Sequence, residues 1–374
     1  MSELAPAAPT PANRLGLDYR REASGFMRFD TPIVDAHAHI AGKQACEVWL
    51  EAADLYGISA VYTQTRMSDA ARVREVLGDR ARFVAIPDYM AEDKKHAFTT
   101  GFLDAMTQWR DEFGAKMVKF WMAPRLRDFA DDPEAAGLFT FDSDLRRSQM
   151  DHAAELGLVF MAHIADPDTW FKTKYADASK YGTKAQQYES LERAIEAYSP
   201  TPWLLAHMAG SPEDLDFLGG LLDRHQNVVV DTSATKWQVR ELSKHDPAVF
   251  RAFCDRFSGR VLFGSDIVST DEHLEQSEQS EPGSKRPNFG VQASSRAEAF
   301  DLYASRYWAM RKLMESDYDG ESPIADPDLM LVDPESHDEM SAPRLRGHDL
   351  GRERLEVLYH GACEQSLDVW YGLA

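Results

Sequence analysis

Three things are scarce in this 374-residue sequence, and each scarcity excludes something. Cysteine occurs only three times, at Cys46, Cys254 and Cys363, too widely spaced for a CxxC pair or a disulfide framework. Reduced thiols, and with them a cytoplasmic location, are the expectation. Positive charge is outnumbered, with 41 Lys and Arg against 62 Asp and Glu and a net charge of −21. That balance argues against nucleic acid or an anionic membrane surface as a partner and leaves a small molecule as the expected one. Long apolar runs are missing, so no bilayer span is expected. Residues 1–9 lack both the basic start and the apolar stretch of a secretory leader.

What is present is a regular alternation. Hydrophobic residues make up 44% of the chain, enough for a sizeable core. Short apolar, β-branched runs stand at 33–40, 58–63, 82–87, 117–121, 158–163, 203–207, 228–232 and 261–266. Helix-like stretches separate them at 45–56, 69–77, 98–112, 144–156, 190–198, 212–224 and 246–257. Strands apolar on both faces and joined by helices belong to a parallel sheet. Eight such units in one chain predict a (β/α)8 TIM barrel. No glycine-rich turn follows the first strand, which counts against a dinucleotide-binding fold.

The expected organisation is a tail and arm over 1–32, then a barrel over 33–374 with an insertion at 271–350 after strand 8. Residues 1–14 are Ala/Pro-rich and read as disordered; 15–32 read as an arm packed on the barrel or on a second copy, which leaves a homo-oligomer open. Residues 271–290 read as a loop, 294–315 as a long helix, 317–350 as irregular chain and 352–370 as a final amphipathic helix. One of those two helices should close the barrel. The insertion is expected to cover the mouth or to build a subunit contact.

Polar residues gather at the C-terminal ends of the expected strands. In Asp35-Ala36-His37-Ala38-His39 the period of two puts both histidines on one face, with Asp35 below them. Two imidazoles so placed can bind one divalent ion, usually zinc, although a His-x-His in a strand is often structural. Lys119 ends strand 4, His163 strand 5, His207 strand 6, Asp231 strand 7 and Asp266 strand 8. Parallel barrels gather catalytic groups on this rim. Four of the twelve histidines fall there.

This order resembles the amidohydrolase superfamily of metal-dependent barrel enzymes. The match lies in residues 35–39, in the strand-end His163 and His207 and in Gly264-Ser265-Asp266, and it covers roughly residues 33–268. Residues 206–210, 227–233 and 262–266 look like the amidohydrolase-2 branch that includes the aminocarboxymuconate semialdehyde and resorcylate decarboxylases and related lactonases. The resemblance implies one divalent ion, zinc first and manganese second. His37, His39, His163 and Asp266 would form its shell. Asp266 would also carry the proton of an attacking water, and His207 would serve as base or charge stabiliser.

Lys119 keeps several readings. In binuclear relatives a strand-4 lysine is carbamylated and bridges two metals; a free ammonium could bind a substrate carboxylate; or the stem could simply run along the barrel wall. Parity puts Lys119 and Trp121 toward the mouth, and Arg125 is a candidate carboxylate clamp. Asp35 is expected to bond the second nitrogen of a ligand histidine. Asp231 and Ser233 read equally as pocket wall or as packing, and Trp49 and Trp237 as packing. The expected activity is hydrolysis of a small carboxylated or cyclic amide, lactone or ester. Non-oxidative decarboxylation is the alternative, because the implied shell serves both.

Overall fold

The computed structural model describes residues 9–129, 133–275 and 292–373. Residues 1–8 of the tail, and 276–291 within the loop and insertion expected from 271 on, lie outside the described residues. The strands are β1 (Ile33–Ile40), β2 (Ile58–Thr63), β3 (Ala81–Ala85), β4 (Met117–Trp121), β5 (Val159–His163), β6 (Trp203–Leu205), β7 (Val228–Asp231), β8 (Val261–Leu262) and β9 (Ile267–Ser269). All pair in parallel and in chain order, with β8 on β7 and β9 on β1. The expected eighth strand at 261–266 is a strand only over β8, and β9 follows just beyond it. Between them the Ala36 N–H donates to the Phe263 carbonyl, and the Asp266 N–H to that of His37. The segment therefore borders β7 at its start and β1 at its end, which closes a (β/α)8 barrel.

Two layers of side chains hold the ring. Val34, Tyr62, Met117, Met161, Leu204 and Leu262 fill its interior. Ile40, Val118, Phe120, Phe160, Trp203 and Val230 face the surrounding helices. Burying each such side chain contributes roughly 1.5–3 kcal/mol, so strands buried on both faces are what the apolar runs encode.

Several helices begin where side chains cap them. Ser143 accepts from the Arg146 N–H ahead of Asp144–Glu155. Thr183 and Gln186 form a reciprocal capping box for Lys184–Ala197. The stretch expected as one helix at 98–112 is two, Lys94–Phe98 and Thr100–Phe113. Thr99 breaks them apart by turning its hydroxyl back on the Lys95 carbonyl.

Arg296–Glu315 is the helix that closes the barrel. It packs on Gln44–Leu55 and buries most of its length. The C-terminal stretch has another task. It is not continuous but runs as Gly351–Glu356, a wide turn at Val357–Gly361, Ala362–Gln365 and Leu367–Tyr371. The turn frees the Leu358 carbonyl to accept from the Phe263 N–H. Beyond it Cys363 and Leu367 enter the interior cluster and plug the floor of the barrel. There Asp368 pairs with Arg82 and accepts from the Tyr62 hydroxyl at 2.6 Å.

The start of the chain is tied down earlier than its composition predicts. The Asn13 amide clamps Leu17 and Asp301, and the arm buries Tyr19 and Phe26 on the protein's own body. After Glu315 an antiparallel ribbon pairs Asp319–Glu321 with Arg344–Arg346. No helix among the described residues is long and apolar enough to cross a membrane.

Candidate metal centre

β1 carries an irregularity that decides what points into the mouth. Asp35 pairs with Val61 and Ala38 with Thr63, so three steps of β1 face two of β2. This is a β-bulge, and it slips the alternation by one. Val34 and Ala36 face the barrel interior. After the bulge His37 and His39 face the mouth, while Ala38 and Ile40 turn outward.

Asp35 is therefore on the other side from the histidines, which corrects the face read from the sequence. Its carboxylate accepts from Ser265 and from the Tyr307 hydroxyl of the closing helix, at 2.6 and 2.9 Å. Burial pushes this carboxyl up to about 7, against the pull of its hydrogen-bond donors. It meets His37 only at the backbone N–H.

The partner of the His37 imidazole is Asp231. Nδ1 of His37 lies 3.0 Å from Asp231 Oδ2, with both side chains fully buried. The other oxygen, Oδ1, accepts from the backbone N–H groups of His207 and Ser233, each at 2.9 Å, and from the Ser233 hydroxyl. Burial works against ionising Asp231, but its interactions with the His37 imidazole outweigh it, helped by His207 and Ser233. The carboxyl is held well below its usual range.

This network fixes the tautomers. A carboxylate only accepts, so Ser233 spends its one proton on Asp231. Ser233 Oγ must then accept from His207 Nδ1 at 2.7 Å. His37 Nδ1 likewise donates to Asp231. Each ring is left with a bare Nε2. A carboxylate or hydroxyl behind a histidine is what orients a metal ligand, since the bare nitrogen then faces the ion.

The Nε2 atoms of His37 and His39 converge on Asp266. Its Oδ1 lies 3.5 Å from His37 Nε2 and 3.3 Å from His39 Nε2. His37, His207 and Asp266 bring their donor atoms within 4.8 Å of one another, and the His37 and His207 rings stack at 4.8 Å. Nζ of Lys119 approaches His37 Nε2 to 3.2 Å. His163 stands beside this group, its ring edge-on to His207 at 4.4 Å. Nε2 of His163 bonds Asp166 at 2.8 Å, which leaves Nδ1 as its other nitrogen.

The electrostatics suit an ion. Burial lowers His37, His39 and His207, His39 to about 4, so all three imidazoles are neutral donors near pH 7. Burial would raise Asp266, but the surrounding histidines hold it well below the ordinary carboxylate range. Burial also lowers Lys119, to about 8, with Asp266 and Asp231 opposing it. Neutral nitrogens around one carboxylate form a donor set suited to zinc or manganese.

The backbone is strained at this point. Of the six non-glycine residues with left-handed φ among those described, five lie on the rim: His207, Met208, Ala209, Ala234 and Asp266. Such residues cost roughly 1–2 kcal/mol each, and strain of this kind collects where side chains must be aimed. Gly210 completes the run after β6, where a Cβ would stand 2.1 Å from the Ala165 carbonyl oxygen.

A cavity of about 700 Å3 opens above the group, lined by His39, Lys119, His163, His207 and Asp266. Trp121 faces it, held edge-on by Tyr89 at 5.6 Å, and exposed Arg125 borders it. The cavity thus brings together all the expected site residues except His37, which lies behind His39 and is fully buried. Trp49 packs as expected, bonding Tyr307. Trp237, also read as packing, instead lines the cavity, 5.6 Å from His207. It stands on the helix Thr235–Leu242, which lies outside the helices expected from the sequence. Asp166 was also missed; its only signal is its place three residues after His163.

The family model described as amidohydrolase matches residues 34–282. No curated protein matches the chain. Among solved structures, an uncharacterized TIM-barrel protein from Bordetella bronchiseptica is 11% identical, with 91% of this chain and 100% of that one covered and a TM-score of 0.47. The 5-carboxyvanillate decarboxylase of Novosphingobium aromaticivorans, complexed with manganese and 4-hydroxy-3-methoxy-5-nitrobenzoic acid, is 12% identical, with coverages of 63% and 86% and a TM-score of 0.38. An amidohydrolase from Burkholderia multivorans with bound HEPES is 13% identical, with coverages of 92% and 100% and a TM-score of 0.38. With a family model matched from the first strand to beyond the last, over a barrel whose rim gathers His37, His39, His163, His207 and Asp266, the chain is an enzyme of the amidohydrolase family.

Proposed function

We propose that this enzyme hydrolyses a small carboxylated or cyclic amide, lactone or ester with one divalent ion, zinc or manganese, held by His37, His39, His163 and Asp266. The observation that carries the reading is the convergence of His37 Nε2 and His39 Nε2 on Asp266 Oδ1, at 3.5 and 3.3 Å, with Asp231 holding His37 from behind. A divalent ion in such a set lowers the pKa of a coordinated water toward about 7 and polarises a carbonyl.

The chain's own groups supply the rest. Asp266 accepts the proton of the attacking water and returns it to the leaving nitrogen or oxygen. His207, its Nδ1 committed to Ser233, keeps Nε2 free to assist that transfer or to steady charge on the attacked group. Lys119, Trp121 and Arg125 line the mouth as binding groups. Cysteine usage supports a cytoplasmic setting, and the charge balance supports a small molecule rather than nucleic acid or membrane as partner.

The test is metal analysis combined with a panel of lactones, amides and esters. One ion per chain, with hydrolysis lost on chelation and restored by zinc or manganese, is the expected result. His163→Ala should lose the ion; unchanged metal content in that variant would contradict the shell. A second reading is decarboxylation, favoured by Lys119 and Arg125, two cations that could engage a substrate carboxylate. Release of carbon dioxide without net addition of water separates the two.

A further inference from the structure

Beside the main cavity lies a smaller one of about 310 Å3. Arg125, Trp237, Asp266 and Val268 border both, so the two spaces adjoin at the rim. The smaller one is walled by Thr235–Leu242, by the closing helix Arg296–Glu315 and by residues 326–328. Its acids are already engaged. Asp328 binds Lys174 at 2.9 Å and the Trp170 indole at 2.6 Å, and Asp326 is paired with buried Arg240.

Two cations on the same wall have no such partner. Lys236 makes no hydrogen bond or ion pair among the described residues. Arg306 also has no ion pair there, and its one side-chain hydrogen bond is to the neighbouring Ser305 hydroxyl at 2.9 Å. Both are half-buried and border the cavity. Burial lowers both, Arg306 to about 10; the charge of Arg306 lowers Lys236 further, against a partial offset from the Asp326 and Asp328 carboxylates. Two like charges lining one partly dry space, with no carboxylate among the described residues in direct contact, are costly until an anion meets them.

We infer that Lys236 and Arg306 form a subsite for an anionic group, a carboxylate or a phosphoryl. A substrate reacting at Asp266 would reach this subsite past Trp237, and so would carry a second acidic substituent away from the bond that breaks. That last step rests on the hydrolase reading of the mouth; the anion site itself does not.

Calorimetric titration with inorganic phosphate and with succinate, at fixed ionic strength and on protein of measured metal content, tests it. At least one anion should bind the wild type and the surface control Lys43→Met equally, and at least tenfold more weakly Lys236→Met and Arg306→Met, with metal content unchanged. Which anion binds identifies the group. Arg306→Lys, which keeps the charge, should retain binding and guards against a variant that fails to fold. Binding of neither anion, or binding undiminished in both methionine variants, would overturn the inference. Because metal content is read on the same samples, protein without metal that still binds the anion would defeat the hydrolase reading alone.

Discussion

The two ends of the barrel are built on opposite terms. At the floor, Leu367 and Cys363 seal the ring with apolar contacts, and one ion pair, Arg82 with Asp368, is tied off by Tyr62. At the rim the chain buries Asp231, His37, His207 and Lys119, accepts five left-handed residues and leaves bare imidazole nitrogens facing one carboxylate. The floor is arranged as a fold would have it if stability were all that mattered. The rim carries strain and desolvated charge that only a bound partner would repay, and this asymmetry is the physical mark of the working end.

The contrast can be broken in three places. The largest effect belongs to the rim. Asp266→Asn should lower activity by roughly a hundredfold or more and weaken metal retention, while thermal stability changes little. Kinetics, metal analysis and a melting curve on one sample check this. A large loss of stability with activity per folded molecule intact would invert the assignment.

The floor should answer the other way. Asp368→Ala leaves Arg82 without its carboxylate and the Tyr62 hydroxyl without an acceptor. Removing one member of a mostly buried pair costs about 3–5 kcal/mol. Denaturant unfolding should show that loss, while kcat and metal content of the folded protein stay at the wild-type level.

The smallest effect sharpens the role of strain. Ala234 sits at φ 66 beside the rim, makes no side-chain hydrogen bond and precedes Thr235–Leu242. Glycine relieves the left-handed cost but gives back backbone entropy. Ala234→Gly should therefore stabilise the protein by about 0.5–1 kcal/mol, read as a raised melting temperature, and leave metal binding intact. A destabilised variant would mean that the strain is not stored at this position.

What the sequence discloses and what it hides follow from range. The apolar runs carry their own period, so the barrel and the strand-end placement of His37, His39, Lys119, His163, His207 and Asp266 could be read directly. The bulge in β1 could not, because a register slip is set by the pairing with β2. Asp35 therefore changed sides and Asp231 took over the support of His37. Trp237 and Lys236 stand on a short helix that falls between the expected elements, and Arg306 on a helix whose buried face wraps most of its circumference, so that its direction is settled only by what packs against it. In the sequence, the closing helix and the floor plug are both candidates to close the barrel. The Leu358 carbonyl, bonded to the Phe263 N–H, and the wide turn around it separate their roles.

The most direct test of the account is anomalous scattering from crystals grown with zinc or manganese, recorded on both sides of the metal edge. The account predicts one peak per chain, within bonding distance of His37, His39, His163 and Asp266, and an unmodified amine at Lys119. No peak at the rim, or two peaks bridged by a carboxylated Lys119, would contradict it.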